Sequence, residues 1–589
     1  MTDAGVAATT LTGTANADPN RPARAVECRR IARHGFALTV LLLMLLPLFD
    51  GDFIALPDEG VYSAQAAALA AGSWSAPRPV PGLDPTGQLN PLTPDTTVGV
   101  RHIPYSRHPA YPLLLSQFYR LLGTPGLLLV SVIGTVIAAT TTALLAMRFN
   151  PKFALPALWL IGVGSPLFMD SFLVSAQALA VGAGAVMLLG LTRALEDDTI
   201  RSLGIAIPAA AGLAMLRSEG VLMVAATAAV TGLGAVRWRR PFGIEWRRAG
   251  FAVALAIAGG FSYLADNLFS GKITGNPASG NGFARKPDLL ASAWNSLLKP
   301  WAASAVELTP SPIIVLLSIL LAALLIRFDP KRPLLAIALV VMAAGAALLR
   351  QSEPLLFIGG LFPTAPILLG GVILIPKESL RRPIVAHLAG IAGLSTLLIS
   401  ATAYGDGGQS QWGGRFYHVI LPALVPLAIL GLERARQVLP RNEALIAGAA
   451  VLIVTCSFAI LALRTNQLSR STQRSVVQTS LSFAKSVAPP NPLIVVGPLK
   501  PNGNSRMFWR QVGDGREILS AIRIDNMHSI LQSIDESGRA EVVLLTDVPT
   551  PVAQRILRRT LTKLGWSITT SQVSDDGSAN VIRIARDGT

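Results

Sequence analysis

Two adjacent carboxylates, Asp58 and Glu59, stand just after the first long apolar segment of the chain. Further along, and immediately before the next apolar segment, come Arg107 and His108. A carboxylate can take a proton from an attacking hydroxyl or amine, while the expulsion of a leaving group also needs assistance. Acids after one apolar segment and cations before the next predict a pocket for a charged substrate at a membrane surface.

The same acids also fit a purely structural role. Asp58 can cap a helix that starts at Gly60, with Glu59 in the first turn of that helix, because both positions favour acidic residues. Spacing alone does not decide between a cap and a reactive pair, and both interpretations stay open at this point.

The amino-acid composition indicates what kind of structural elements must position these residues. The chain has 589 residues, of which 51% are hydrophobic and only 14% are charged, and its mean hydropathy is +0.50. Soluble domains carry about 25% charged residues, so this composition indicates a membrane protein. The net charge of +16 does not predict a nucleic-acid partner, because the Lys and Arg residues cluster at the ends of apolar segments. Cys28 and Cys456 have no metal-ligand spacing, and we expect no disulfide between them.

Apolar runs long enough to cross a bilayer recur along most of the chain. We predict about thirteen transmembrane helices, and the segment that Arg217-Ser218-Glu219 interrupts counts as two of them. The segments lie at roughly 35–50, 126–147, 153–169, 172–193, 203–236, 249–266, 311–327, 333–349, 354–375, 384–402, 416–432 and 443–463. Nearly every second connection is rich in Lys or Arg, which predicts that those connections are cytoplasmic. The N-terminus is then cytoplasmic and the C-terminal region extracytoplasmic.

The predicted fold class is an α-helical polytopic membrane protein with a small C-terminal α/β domain outside the membrane. We expect a disordered cytoplasmic tail over 1–30, a transmembrane domain over 31–465, and a soluble domain over 466–589. Two long outer loops, 51–110 and 267–310, interrupt the transmembrane domain. In the soluble part, apolar runs predict strands near 493–497, 540–545 and 580–585, and helical spacing with a basic face predicts a helix over 552–564.

Four short motifs resemble those of the GT-C superfamily of glycosyltransferases. They are most similar to the branch of lipid A aminoarabinose transferases and protein O-mannosyltransferases. The motifs are Asp58-Glu59-Gly60-Val61-Tyr62-Ser63 with Gly72-Ser73-Trp74, then Arg107-His108-Pro109-Ala110-Tyr111-Pro112, Asn276-Pro277 with Gly280, and Trp412-Gly413-Gly414-Arg415-Phe416. Each motif is loose by itself, but their order and their side of the membrane agree over roughly 35–465.

This resemblance implies a GT-C-like transmembrane domain that uses a polyprenyl-phosphate-linked sugar donor. The acceptor would be a lipid, a glycan or a protein at the outer face of the membrane. Asp58 would be the base, Glu59 would orient the acceptor or the donor, and Asp170 matches a second acidic position. Asp170 can equally be a simple turn residue between two spans.

The donor phosphate that the resemblance implies needs cations, and Arg suits bidentate phosphate contact. The candidates are Arg107, His108, Arg217, Arg350 and Arg415. The last three arginines lie on the predicted outer side, against the positive-inside trend. Where the aminoarabinose branch has Lys-Pro-Pro this chain has Arg-His-Pro-Ala, so either of the first two residues can be the phosphate ligand. Each arginine can alternatively be an interface residue that extends its charge towards water.

Four outer aromatic residues are candidates for stacking on sugar or lipid: Tyr62, Trp74, Tyr111 and Trp412. Aromatic residues also gather at membrane interfaces without any substrate role. The use of a divalent cation is undecided, because Asp50, Asp52 and Asp58 could join in an oxygen site while no His pair has zinc spacing.

The sequence therefore predicts an integral membrane glycosyltransferase of the inner or plasma membrane. A rival hypothesis is a non-catalytic or transporter-like protein that handles polyprenyl-linked lipids on the same scaffold. A transporter should carry ionisable groups near the bilayer midplane. Apart from the break at Arg217 to Glu219, the charges lie at the lips of the spans, which favours surface chemistry. A mere membrane anchor would not need so many outward acids.

Overall fold

A computed structural model of the chain reveals a helical membrane part and a C-terminal sheet domain. The structure describes residues 21–74, 80, 82–84, 89–92, 108–196, 200–237, 243–274, 289–300, 310–352, 358–402, 412–487, 492–497, 505–521, 524–539, 541–547, 551–573 and 579–586.

Helices make up nearly all of the described membrane part. In chain order they are α1 (Arg21–Leu45), α2 (Pro57–Ala70), α3 (Ala110–Leu122), α4 (Thr124–Met147), α5 (Ala154–Gly162), α6 (Leu167–Asp170), α7 (Gln177–Glu196), α8 (Leu203–Leu216), α9 (Ser218–Ala235), α10 (Trp246–Thr274), α11 (Leu289–Ala293), α12 (Pro310–Phe328), α13 (Pro333–Leu349), α14 (Leu361–Thr364), α15 (Pro366–Ile373), α16 (Pro383–Ala401), α17 (Leu421–Val438) and α18 (Arg441–Val487). A two-residue hairpin, β1 (Val236–Arg237) with β2 (Gly243–Ile244), separates α9 from α10.

Within the described chain, nine helices are long and apolar enough to cross a membrane. They are α1, α4, α7, α9, α10, α12, α16, α17 and α18. Two further predicted spans, α8 and α13, are shorter apolar helices. The fold class predicted from the sequence, a helical polytopic membrane protein with a C-terminal α/β domain, is confirmed.

Two of the predicted spans are broken into short helices. The segment 153–169 forms α5 and α6, and the described part of 354–375 forms α14 and α15. Pro166 precedes α6, and Pro366 opens α15. Proline cannot donate the backbone hydrogen bond that a continuous helix needs. The first break matters for function, because it puts Asp170 at the end of a separate short helix.

The boundaries at both ends of the membrane part differ from the sequence prediction. Helix α1 begins at Arg21, inside the predicted tail, while residues 1–20 lie outside the described chain. Helix α18 does not end near residue 465 but continues to Val487. The membrane part and the C-terminal domain are therefore joined by one helix rather than by a loop.

The C-terminal domain is a five-stranded mixed sheet with helices. Its strands are β3 (Ile494–Val496), β4 (Ile518–Ser520), β5 (Glu541–Asp547), β6 (Trp566–Val573) and β7 (Ala579–Arg586), and its helices are α19 (Trp509–Gly513), α20 (Ile524–Glu536) and α21 (Pro551–Lys563). The strand order is β4-β3-β5-β7-β6, with β3 parallel to both neighbours and β7 antiparallel to both of its own. The sequence predicted β3, β5, β7 and α21, and it missed the two remaining strands and α20.

The two faces of this sheet are buried in different places. Along β3, Val495 packs in a cluster with α20 and α21, while Ile494 and Val496 belong to the large core that extends into the membrane part. Alternation of this kind is expected when both faces of a strand are covered. One face of the domain is therefore fixed against the membrane part.

The segment 505–513 makes much of this contact. Met507, Phe508 and Trp509 are fully buried and belong to the same core cluster as Tyr62 of α2. Burying a large apolar side chain stabilises a fold by about 1.5–3 kcal/mol. The Trp509 indole also donates to the backbone oxygen of Asp52 at 3.2 Å. The domain is thus anchored beside the first turn of α2.

Candidate active site

Asp58 and Glu59, in the first turn of α2, lie in different environments. Helix α2 begins at Pro57, a residue suited to the first helical position, so Asp58 and Glu59 lie inside the turn rather than before it. Glu59 Oε1 accepts from the backbone N–H groups of Ala55 and Leu56, both at 2.8 Å. The capping function that the sequence allowed for Asp58 is therefore performed by Glu59.

Glu59 is completely enclosed by protein donors. Its other oxygen, Oε2, accepts from the backbone N–H of Val174 at 2.9 Å and from Arg470 Nη2 at 2.7 Å. The side chain is 1% exposed. Arg470, on α18, also donates to the backbone oxygens of Phe172 and Asp50. Glu59 thus joins α2, the turn after α6, and α18; its predicted action on a substrate stays a prediction.

Asp58 points the other way and keeps access to solvent. Its side chain is 38% exposed, and Oδ2 accepts from Arg415 Nη2 at 2.8 Å. Arg506 of the C-terminal domain approaches the other oxygen at 3.6 Å. Burial favours the neutral acid, but Arg415, Arg506 and Arg217 outweigh it and lower the pKa of Asp58 below its usual value. Asp58 is an ionised carboxylate at neutral pH.

A two-glycine turn delivers Arg415 to this position. Gly413 and Gly414 both have positive φ angles, 70° and 63°, which only glycine adopts readily. A Cβ atom on Gly414 would lie 2.1 Å from the backbone oxygen of Ser296. Arg415 then opens a short 3-10 helix that runs directly into α17. The Gly-Gly-Arg-Phe order of the sequence therefore has a geometric reason.

Arg415 and Arg217 belong to one polar network. In the amide orientation that satisfies both arginines, the side-chain oxygen of Gln177 accepts from Arg415 Nε at 2.9 Å and from Arg217 Nη2 at 3.0 Å. Arg217 also forms a bidentate pair with Glu219, at 3.1 and 2.8 Å. The guanidinium carbons of Arg415 and Arg217 lie 5.7 and 5.8 Å from the centroid of the Phe416 ring. Residues from α2, α7, the start of α9 and the start of α17 meet here.

Among the described residues of this network, guanidinium groups outnumber carboxylates. Three guanidinium groups, from Arg217, Arg415 and Arg506, share two carboxylates, from Asp58 and Glu219. Nη1 of Arg415 is buried, and no group in the described chain accepts a hydrogen bond from it. An unused guanidinium donor in a cationic cluster can bind an anion.

Asp170 lies next to this network but contacts a different residue. Its Oδ2 is 2.5 Å from Nδ1 of His418, and both side chains are buried. Nε2 of His418 donates to the backbone oxygen of Gly413 at 2.9 Å, because a carbonyl oxygen can only accept. Asp170 therefore braces, through His418, the turn that carries Arg415. The predicted catalytic role of Asp170 stays a prediction.

His108 is buried in its own hydrogen-bonded group. It has a positive φ of 70°, which is uncommon for a residue with a side chain. Its Nδ1 is 3.0 Å from Asp266 on α10, and its Nε2 is 3.0 Å from the hydroxyl of Ser218 on α9. Since Ser218 follows Arg217, His108 lies one residue from the Arg217 network. Arg107, the alternative phosphate ligand, lies outside the described residues.

Three of the four aromatic candidates, Tyr62, Tyr111 and Trp412, are buried in hydrophobic clusters. Tyr62, one turn after Asp58 on α2, packs edge-on against Tyr111 with ring centroids 5.0 Å apart. Burial raises the pKa of the Tyr62 hydroxyl, which Arg217 partly opposes. Trp412 is buried in a separate hydrophobic cluster, and Trp74 contacts Phe269 of α10. The two tyrosines adjoin the network.

The remaining candidates are Arg350, Asp50 and Asp52. Arg350 is buried at the end of α13, and its neighbour Gln351 donates to α18. Asp50 pairs with Arg474, and Asp52 pairs with Arg510. No group of three or more His, Cys, Asp or Glu side chains that could hold a metal ion occurs among the described residues. Asp50 and Asp52 are therefore engaged by arginines rather than joined with Asp58 in an oxygen site.

Sequence reasoning missed Gln177, Glu219, His418, Arg470 and Arg506 as parts of this region. His418 and Glu219 lie within three residues of predicted arginines, so the motif segments offered a signal. Arg470 and Arg506 gave none, because they lie in a region whose composition indicates an ordinary soluble domain, and they reach α2 only through the fold.

Comparison by sequence gives no matching family model and no matching curated protein. Comparison of structures identifies ArnT from Cupriavidus metallidurans in the apo state, with a TM-score of 0.51 at 13% identity over 94% of this chain and 98% of that one. The same protein bound to undecaprenyl phosphate matches with a TM-score of 0.50, also at 13% identity, over 93% and 97% of the two chains.

The Archaeoglobus fulgidus oligosaccharyltransferase in its apo form also matches, over 87% of this chain and 69% of that one, at 12% identity. Its TM-score of 0.46 is too low to add to the argument. Likeness at such identities concerns the fold alone. The chain shares its fold with ArnT, which confirms the fold expected from the resemblance of the motifs.

Proposed function

We propose that the protein is a membrane glycosyltransferase that moves a sugar from a polyprenyl-phosphate donor to an acceptor at the membrane surface. The observation that carries this proposal is the pairing of Asp58 with Arg415. A solvent-accessible carboxylate that can take a proton lies 2.8 Å from a guanidinium with an unused donor. A base and an anion-binding group side by side match what glycosyl transfer from a phosphate requires.

In the proposed reaction, the acceptor hydroxyl or amine attacks C1 of the sugar from the side opposite the phosphate. The bond from C1 to the phosphate oxygen breaks, and its electron pair leaves with the polyprenyl phosphate. Asp58 takes the acceptor proton as the new bond forms. Arg415 and Arg217 bind the phosphate oxygens, and their positive charge stabilises the negative charge that develops on the leaving group.

The low pKa of Asp58 belongs to the cluster without a bound anion. A strongly acidic carboxyl is a weak base, and the best catalytic pKa lies near the working pH. A phosphate that engages the same arginines would weaken their hold on Asp58 and raise its pKa. Donor binding would thus prepare the base.

The other candidates take supporting parts in this proposal. Glu59 and Asp170 hold the elements that carry Asp58 and Arg415, and the buried Tyr62, packed on Tyr111, supports the pocket from the core. His108 or Arg107, and Arg350, would be further ligands of the donor phosphate. Any divalent cation would have to bind with ligands beyond Asp50 and Asp52.

The donor and the orientation follow from separate arguments. One structure of ArnT holds undecaprenyl phosphate, which supports a polyprenyl-phosphate donor on this shared fold. The basic connections between the spans support a cytoplasmic N-terminus, an extracytoplasmic C-terminal domain, and a site that faces the outer leaflet of the cell membrane. The acceptor would then be a lipid, a glycan or a protein of the cell envelope.

A donor screen tests the proposal directly. The purified protein, in nanodiscs, is given polyprenyl phosphates that carry labelled pentoses or hexoses, together with an extracted envelope fraction as acceptor. We expect release of free polyprenyl phosphate and a matching mass increase in an envelope lipid, glycan or protein. The Asp58→Asn variant, which keeps the size of the side chain but cannot accept the proton, is the matched control. A fully active Asp58→Asn protein would refute this mechanism.

A further inference from the structure

We propose that the C-terminal domain is part of the active site, and that its Arg506 is a further residue that binds the donor phosphate. The segment 505–513 would form one wall of the pocket beside Asp58. This inference rests on the proposed function and extends it to a domain that lies outside the motif-bearing region.

Arg506 and Arg415 approach different oxygens of the Asp58 carboxylate. Its Nη1 lies 3.6 Å from Oδ1 of Asp58, while Arg415 engages Oδ2. The Arg506 side chain is only 13% exposed. A phosphate positioned near Asp58 would therefore lie within reach of guanidinium groups from two parts of the chain.

The charge balance of the network depends on this residue. Arg217 and Arg415 are matched by Glu219 and Asp58, so those four groups alone are neutral. Arg506 brings a third guanidinium group to Asp58 and Glu219. Several guanidinium groups that converge on one place favour the binding of an anionic leaving group there. The membrane part without the domain would lack that charge.

The fold holds Arg506 rigidly enough to act in this way. The backbone of Arg506 passes so close to α2 that a Cβ atom on Gly60 would lie 2.3 Å from its carbonyl oxygen. The three residues after it, Met507 to Trp509, are buried in the shared core. Before it, the hydroxyl of Ser505 donates to the backbone oxygen of Pro91, in the first long loop. Backbone and side-chain contacts on both sides therefore fix where the guanidinium lies.

A simple docking ion pair is the competing explanation, and the same segment provides an internal comparison. Arg510, four residues later, pairs with Asp52 at a more exposed position that is not part of the Asp58 network. Exposed ion pairs of this kind contribute little. If Arg506 only docked the domain, its loss should lower the stability of the protein and leave the binding of phosphate unchanged, as the loss of Arg510 should.

The test uses the full-length protein in nanodiscs and measures equilibrium binding of undecaprenyl phosphate by native mass spectrometry. We expect Arg506→Gln to weaken binding by about 10- to 100-fold, the range for losing a charge-assisted hydrogen bond. Arg506→Lys should recover part of the loss, because it retains the charge. The matched control, Arg510→Gln, should change binding by less than about 2-fold.

Two further readouts accompany the binding measurement. Gly60→Ala leaves Arg506 in the sequence but displaces its backbone, so we expect the same loss of binding as in Arg506→Gln. The acid limb of the pH–rate profile should shift to higher pH in Arg506→Gln, because Arg506 helps to lower the pKa of Asp58. A docking pair between Arg506 and Asp58 would also shift the acid limb, so the equilibrium binding of undecaprenyl phosphate is the readout that decides between the two roles.

The outcomes also distinguish this inference from the proposed function. Equal, small changes in Arg506→Gln and Arg510→Gln would overturn the role of Arg506 and leave the glycosyltransferase proposal intact. If the wild-type protein binds undecaprenyl phosphate but releases none from any sugar donor, the proposed function fails, and the binding data still decide whether Arg506 is a phosphate ligand.

Discussion

Asp58 and Glu59 are neighbours in one helical turn, yet the protein surrounds them in opposite ways. Glu59 receives four hydrogen bonds from protein groups and is shut away from solvent. Asp58 pairs with charged side chains and retains access to solvent. Both carboxylates pair with arginines, so pairing alone does not identify a reactive acid. The informative difference is whether hydrogen-bonding capacity is left over for a substrate.

The largest expected effect separates the two acids by function. Asp58→Asn should reduce kcat by about 10³-fold, within the range for loss of a general base. The variant should remain in the membrane fraction and keep the wild-type melting curve, because the amide oxygen of the new side chain can still accept a hydrogen bond from Arg415. Polyprenyl phosphate release and thermal unfolding in detergent measure the two properties. A loss of folded protein equal to the loss of activity would place Asp58 with Glu59 as a structural residue.

The second-largest effect concerns the stability of the fold and not catalysis. Glu59→Gln should destabilise the fold by about 3–5 kcal/mol, the cost of breaking a buried ion pair. The amide would also present N–H groups to donors at Val174 or Arg470. Thermal unfolding and yield of folded protein provide the measurement.

A double variant sharpens this second prediction. Glu59→Gln combined with Arg470→Met removes both buried charges, and we expect it to be more stable than Glu59→Gln alone. If the double variant is instead less stable than the single one, Arg470 supports the fold chiefly through the backbone oxygens that it binds.

A smaller effect tests Nη1 of Arg415, the buried donor beside Asp58. Arg415→Lys keeps the charge but loses the planar fork, so KM for the donor should rise by about 10-fold or more, with protein stability nearly unchanged. Arg474→Lys is the matched control, because Arg474 also pairs with an aspartate but at an exposed position. Steady-state kinetics with varied donor concentration would decide. An unaltered KM would exclude Nη1 of Arg415 as a phosphate contact.

The smallest effect concerns pH. A carboxyl whose pKa is lowered in the folded protein stays ionised above its usual value of 3.8 and gains a proton only when the pH falls below it. Activity that needs ionised Asp58 should therefore be flat across weakly acidic pH, and any stability from its ion pairs should be lost only in stronger acid. The pH dependence of kcat/KM, which reports on the free enzyme, measures this. An acid limb centred above about pH 5 in the wild type would mean that another group is the base.

The sequence predicted the Asp58 side of this comparison better than the Glu59 side. Asp58 and the Gly-Gly-Arg turn could be predicted from their immediate neighbours in the sequence. A charged residue beside an apolar run and two glycines before an arginine both have local physical reasons. The partner of Glu59 could not be found in this way, since Arg470 is on a helix hundreds of residues away. Length and hydropathy located the membrane segments, but they overlooked the prolines that shorten two of them.

Helix α18 has a mechanical consequence for how substrates reach the site. It runs without interruption for 47 residues, from the membrane part to the sheet domain, and at 1.5 Å per residue it is about 70 Å long. A continuous helix of this length acts as a strut, and a swing of the upper domain would require it to bend or unwind. A long-chain lipid would then enter sideways between helices and not beneath a lifted cover.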